Sequence, residues 1–248
     1  IRSEIDIIKT CIRLTYSENY DGFYLSNVHP FVKKHSKVDI SLLSTSKNME
    51  EFVSHLKGTA YYSLFERLNK KGNATVFDYE TQLDIYYFTT MWKIKDKQLK
   101  GHNLVAFTHT LGTEIDLLNI EWMFRSKIFY HFQSNNAYDH IIPVHYKFYK
   151  SNLIRLMETS STYEFIDVLK NSHYKNIAKA LEYGDFENTI QNTLLSTYEE
   201  VKTKYPYSMV PIFYYLHSKQ IEINRITTAL ECIRYKLEPS ETLNYILQ

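Results

Sequence analysis

"NMEEFVSHLKGTAYYSLFERL", residues 48–68, is the stretch on which the choice between strand and helix turns. Phe52, Leu56, Tyr61, Leu64, Phe65 and Leu68 recur at steps that keep mostly to one helical face, whereas a half-buried strand would alternate apolar and polar residues. Its opening reads as a helix start. The Asn48 side chain accepts from the exposed amides of a first turn, and Glu51, three residues on, reaches back. Similar amphipathic patterns occupy about 78–95, 114–130, 185–204 and 211–235, and the six glycines and five prolines fall at the joints between such stretches. The expected fold class is all-α. No Gly-rich loop follows a strand pattern, so the sequence offers no phosphate cradle of the P-loop or dinucleotide kind.

The same start signal recurs 113 residues later, at Ser161 and Glu164. At that offset Pro30, Lys34, Lys37, Leu43, Glu51, Phe52, Leu56, Lys57 and Tyr61 meet Pro143, Lys147, Lys150, Leu156, Glu164, Phe165, Leu169, Lys170 and Tyr174. These nine identities compare with roughly two for unrelated stretches. The offset then falls to 107, where Asp78 and Glu80 meet Asp185 and Glu187, and settles at 106, where Phe107 meets Phe213 and Asp116 meets Glu222. Such self-similarity marks tandem, pseudo-symmetric helical modules. Residues 18–130 read as one repeat, 131–248 as the next, and 1–17 as the tail of a truncated earlier one whose first roughly 90 to 100 residues are absent.

The register singles out one acid. Asp116 in "EIDLLNIEWMFRSKIFY" and Glu222 in "QIEINRITTALECIRYKL" are equivalent, and "EIDIIKTCIRLTY" at the beginning offers a third copy through Glu4 or Asp6. Catalysis seldom needs one acid three times, whereas symmetric packing does. The repeated acid is therefore expected near the first turns of its helix, complementing the macrodipole and pairing with an arginine on a neighbouring copy. Glu222→Ala should then weaken folding by about one to a few kcal/mol, according to how deeply the acid is buried.

Charge and composition exclude other classes. With 29 basic and 28 acidic residues the chain lacks the excess that drives phosphate-backbone binding, so nucleic acid is not an expected partner. Cys11 and Cys232 lie near opposite ends without CxxC spacing, which fits a reducing compartment better than a disulfide scaffold. No apolar run approaches the roughly 18 residues needed to cross a bilayer. His140 and His145 in "DHIIPVHYKF" have the look of paired metal ligands, but Pro143 between them breaks any helix that would align them, and no metal site is expected. No Gly-x-Ser-x-Gly elbow frames a serine nucleophile. Tyr86, Tyr87, Tyr214 and Tyr215 read as interhelical packing, and "KIKDKQLKGH", residues 93–102, as a solvated helix end. Neither a cofactor nor a small-molecule substrate is expected, and a generic helical-repeat adaptor is one reading these features allow.

Residues 210–233, "VPIFYYLHSKQIEINRITTALECI", resemble the carboxy-terminal signature of the family that unites the V-type ATPase d subunit with the A-type ATP synthase C subunit. Tyr215, Leu216, Lys219, Glu222, Ile223, Ile226, Glu231, Cys232 and Ile233 match it as they stand. Asp116, Asn119 and Arg125 reproduce the family's Asp-x-x-Asn pattern leading to an arginine in an earlier repeat. Gln220 stands where glutamate is usual, Arg225 where asparagine is expected, and Ile7 or Lys9 where the first copy would carry asparagine. The resemblance implies a funnel or socket normally built of three modules, about two of them present here, with the amino-terminal third missing. It implies a non-catalytic central-stalk protein that couples the shaft subunits of a rotary ATPase to its membrane rotor ring during ATP-linked proton or sodium transport. Such a protein is cytoplasmic and peripheral to the membrane. Asp116, Asn119, Arg125, Glu222 and Arg225 become candidates for structural or interface roles.

Overall fold

The computed structural model describes residues 1–17, 28–129, 140–183 and 185–247, and every regular element among them is a helix. The module limits expected at 18 and at 130–131 lie outside the described residues. The chain divides into two units, Ile1–Met91 and Trp92–Gln248.

The first unit is one amphipathic helix under a cap of short ones. Helix α1 (Arg2–Ser17) is followed by α2 (Pro30–His35), α3 (Ile40–Ser44), α4 (Met49–His55), α5 (Tyr62–Lys71) and the start of α6 (Val76–Gln98). Ile5, Ile8, Cys11 and Ile12 recur on one face of α1 and are at most 1% exposed. They share a core with Leu43, Phe52, Leu56 and Phe65 from the cap. Full burial is worth on the order of 2 kcal/mol for each large apolar side chain. Helices as short as the five residues of α3 do not form alone, so packing and caps must hold them. Asp39 Oδ1 accepts from the amides of Ser41 (2.9 Å) and Leu42 (3.1 Å). Asn48 Oδ1 accepts from Glu51 N (2.9 Å), and Glu51 reaches back to Lys47 N (2.9 Å), as the sequence predicts. The apolar stripe of 48–68 is not one helix, however. Gly58 takes φ 82°, in the left-handed region that favours glycine, and the chain breaks there into α4 and α5.

The second unit is built on α7 (Gly101–Phe129), followed by α8 (Lys150–Glu158), α9 (Thr162–Lys170), α10 (Lys175–Tyr183), α11 (Phe186–Lys204), α12 (Val210–Arg234) and α13 (Pro239–Leu247). Helix α7 begins 13 residues earlier than its sequence pattern indicates, because its middle is buried on several sides and shows no clean polar face. Leu117, Ile120 and Met123 of α7 pack with Phe148, Leu156, Phe165 and Leu169. The second capping signal forms like the first: Glu164 N donates to Ser161 Oγ (3.2 Å) and Ser160 N to Glu164 Oε2 (2.6 Å).

The two cores are related by an exchange of bulk. Phe65, which stacks between Phe52 and Tyr79 in the first unit, corresponds to Ala178 in the second. The space is filled there from the long helix, where Phe124 replaces Ile12 and contacts Phe165 and Phe186. Phe124 thus meets the counterparts of the two rings that flank Phe65, so the same aromatic cluster is completed from a different helix. The basic run 93–102 is only partly solvated. Lys95 is 3% exposed, paired with Asp96 at 2.6 Å and placed 3.7 Å from the Trp92 ring centre, so an aromatic face and a carboxylate replace its water.

Candidate functional site

The repeated acid is the focus of each unit's polar chemistry, and Glu4 rather than Asp6 is its first copy. Glu4 is buried in the first turn of α1. The Tyr61 hydroxyl donates to its Oε1 (2.6 Å) and the Lys37 amide to its Oε2 (2.6 Å). Asp6 is exposed, 4.0 Å from Arg2.

Asp116 repeats the arrangement with more donors. It is 1% exposed and accepts from the amides of Tyr146 (3.2 Å), Lys147 (2.7 Å) and Phe148 (2.8 Å) and from the Tyr174 hydroxyl (3.0 Å). The tyrosine follows the acid by 57 residues in the first unit and 58 in the second. Both tyrosines leave an identical turn. Thr59 Oγ1 donates to Leu56 O (2.7 Å) and accepts from Tyr61 N (3.3 Å), while Ser172 Oγ donates to Leu169 O (2.8 Å) and accepts from Tyr174 N (3.1 Å). The extra amides have a backbone cause. Pro30 opens α2, but its counterpart Pro143 lies in an irregular segment that turns three successive N–H groups onto Asp116. Gly112 admits that segment, since a Cβ there would run into the Tyr146 ring.

Burial sets the protonation of these groups. It pushes the Asp116 carboxyl above the usual carboxylate range, with the three amides and the Tyr174 hydroxyl pulling the other way. Burial, then the adjoining carboxylate, raises the Tyr61 and Tyr174 phenols well above their ordinary value. Each site thus keeps its tyrosine protonated as a donor.

Asn119, one turn beyond Asp116, is 1% exposed and clamps the backbone of Ile142, accepting from its N–H (2.9 Å) and donating to its carbonyl (3.1 Å). Arg125 pairs with Glu121 (2.7 Å) and Glu187 (3.6 Å). Its counterpart Arg13 holds Glu80 through two bonds (2.5 and 3.0 Å), so the pairing of Glu80 with Glu187 in the repeat extends to their arginines. An arginine nine residues after the acid in both copies was the available signal. Lys127 donates to the carbonyls of Met157 (2.9 Å) and Thr159, closing the carboxyl end of α8.

Glu222 and Arg225 are placed differently. Glu222 is the thirteenth residue of α12, not in its first turns, and its exposed carboxylate meets Lys219 at 2.6 Å. Asp116, sixteenth in α7, is equally far from a helix start, so a macrodipole account fails for both. Arg225 is exposed. Tyr215 is 59% exposed rather than packed, while Tyr214 donates to Glu199 (3.0 Å) and has Lys202 3.6 Å from its ring centre. His140 is buried and His145 exposed, and among the described residues no group of three His, Cys, Asp or Glu side chains could hold a metal. Cys11 is buried, its thiol pushed up to about 12 by desolvation. No helix among the described residues is long and apolar enough to cross a membrane.

Two all-helical units, each locked by a buried carboxylate whose donors come from the same unit, define a helical-repeat scaffold. The family described as ATP synthase (C/AC39) subunit matches residues 1–245, and the chain belongs to it. Two curated relatives are each named as the C subunit of an A-type ATP synthase. The protein from Methanosphaera stadtmanae is 24% identical over 225 residues, covering 85% of this chain and 57% of the relative. That from Methanocaldococcus jannaschii is 22% identical over 215 residues, covering 83% and 53%. The chain spans about half the length of the curated relatives it matches.

Proposed function

We propose that the chain serves as a non-catalytic central-stalk subunit of a rotary A/V-type ATPase, a socket that seats the central shaft on the membrane rotor ring during ATP-linked proton or sodium transport. The match to the ATP synthase (C/AC39) subunit family over residues 1–245 carries this reading. The protein would sit in the cytoplasm, peripheral to the membrane through its complex. Torque must pass through such a subunit without shearing its modules. The buried acids suit that demand, because each ties a cap to a long helix by charge-assisted hydrogen bonds in a dry interior, where breaking one strands a charge.

The test is a calorimetric titration of the chain with the shaft subunit of its own rotary ATPase, alongside an assay for ATP hydrolysis. Binding of the shaft with no hydrolysis is expected. Turnover of ATP by the isolated chain would overturn the non-catalytic role, and absence of binding would replace the rotary reading by that of a general adaptor.

A further inference from the structure

Four elements of the second unit bring basic side chains to one place that the Asp116 lock does not need. His109 stands seven residues before Asp116, about two turns back on the same face of α7. The Lys147 ammonium reaches its Nε2 at 3.3 Å, and because an ammonium only donates, that nitrogen accepts. The Tyr146 ring lies 6.0 Å from the imidazole, centre to centre. His173 adjoins Tyr174, ring edge to ring face at 5.1 Å, and Lys204 ends α11. The charges of Lys147, Lys204 and His173 all act on His109, opposed by Glu200 of α11. Asp116 fixes the frame, since it takes the amides of Tyr146 and Lys147 and the hydroxyl of Tyr174. Burial, then the Lys147 charge, holds both imidazoles below the usual range, so near neutral pH they stand uncharged and able to take up protons.

We propose that His109, Lys147, His173 and Lys204 form a binding site for a phosphate-class oxyanion, either a free phosphate or a phosphate-bearing headgroup. Two observations point to a ligand rather than to the fold. Among the described residues neither lysine has a carboxylate within salt-bridge distance, so the half-buried Lys147 ammonium is met by a neutral imidazole where an anion would serve it better. The first unit, moreover, closes the same lock with no imidazole: Ala60 stands where His173 does, and Lys34, the counterpart of Lys147, is exposed. An oxyanion in this place accepts charge-assisted hydrogen bonds from the two lysines. Its charge also draws a proton onto His109 Nε2, which turns from acceptor to donor and releases Lys147 to the ligand. Glu200 works against any anion, so the ligand must carry enough charge to gain from both lysines, which favours a phosphate dianion over a single carboxylate. The proposal rests on the geometry of this unit and not on the rotary reading.

The test titrates the chain with inorganic phosphate and, in a second arm, with the soluble lipid dihexanoyl phosphatidic acid, following the imidazole C–H resonances of His109 and His173 by NMR. Saturable shifts of both resonances are expected, with their titration midpoints raised by at least about half a pH unit in the complex. Equal affinity in the two arms identifies a free phosphate as the ligand, and a tighter lipid arm a headgroup. Lys147→Gln, whose backbone amide still serves Asp116, should weaken binding about tenfold, the loss of one charge-assisted hydrogen bond. His173→Ala removes an exposed side chain that the lock does not use, so the melting temperature should stay unchanged while binding weakens about threefold to tenfold. Lys150→Gln, an exposed neighbour, should leave affinity unaltered. No saturable shift in either arm would overturn the proposal. So would binding that ignores His173→Ala, or that Lys150→Gln weakens as much as Lys147→Gln does.

Discussion

Asp116 gathers three amides and a phenol, and removing its carboxylate strands all four donors inside the fold. A buried donor left unsatisfied costs roughly 1–3 kcal/mol, and water entering the vacated space recovers part of the loss. Asp116→Ala should therefore destabilise the chain by about 3 kcal/mol or more, and Asp116→Asn, which retains one acceptor oxygen, by less. Glu222→Ala in the same chain should change stability by no more than about 0.5 kcal/mol, because an exposed ion pair contributes little. Urea denaturation followed by circular dichroism measures all three, and equal losses at the two acids would contradict the contrast. At this scale the repeat register was legible: it aligned Asp116 with Glu222 and Tyr61 with Tyr174. That the tyrosine closes on the acid was not, because the two are 57 or 58 residues apart and only the folding of the cap brings them together. The cost expected for Glu222→Ala depended on its burial, which the register alone does not give, since an equivalent residue can be buried or bare according to what covers it.

Among the elements, the caps show how local and tertiary demands divide. Helix starts at Asn48 and Ser161 are readable because a cap involves residues three apart. The break at Gly58 was not read, since the apolar spacing of 48–68 continues through it and a left-handed glycine leaves no period of its own. Gly112 is the sharper case. Inside an exposed helix, exchanging glycine for alanine gains about 0.5–1 kcal/mol. In α7 the added methyl would press into the Tyr146 ring, in the segment that delivers amides to Asp116. Gly112→Ala should thus destabilise by about 1–3 kcal/mol, the usual range for overpacking. Adding Tyr146→Ala should relieve most of that loss, so the two changes are strongly non-additive. Thermal melts of the single and double variants check it, and additive losses would show that the ring and the methyl do not meet.

For the molecule as a whole, fold class and family were open to reading, the former from helical periodicity and the latter from residues 210–233 with Asp116, Asn119 and Arg125. The open surface of α12 was not, because an exposed apolar side chain reads in sequence like a buried one; its stripe through Ile223, Ile226 and Ile233 carries the same residue types as the covered face of α1. The coupling role proposed for this chain is one that neighbours define, rather than any chemistry of the chain's own. The most direct measurement is therefore affinity purification of the tagged protein from mildly solubilised membranes of its own cells, with the stoichiometry of co-purifying subunits determined by mass spectrometry. The account predicts recovery of the rotary ATPase's shaft subunits and membrane ring in fixed proportion to the protein; its recovery free of every ATPase subunit, from membranes in which that complex is intact, would contradict it.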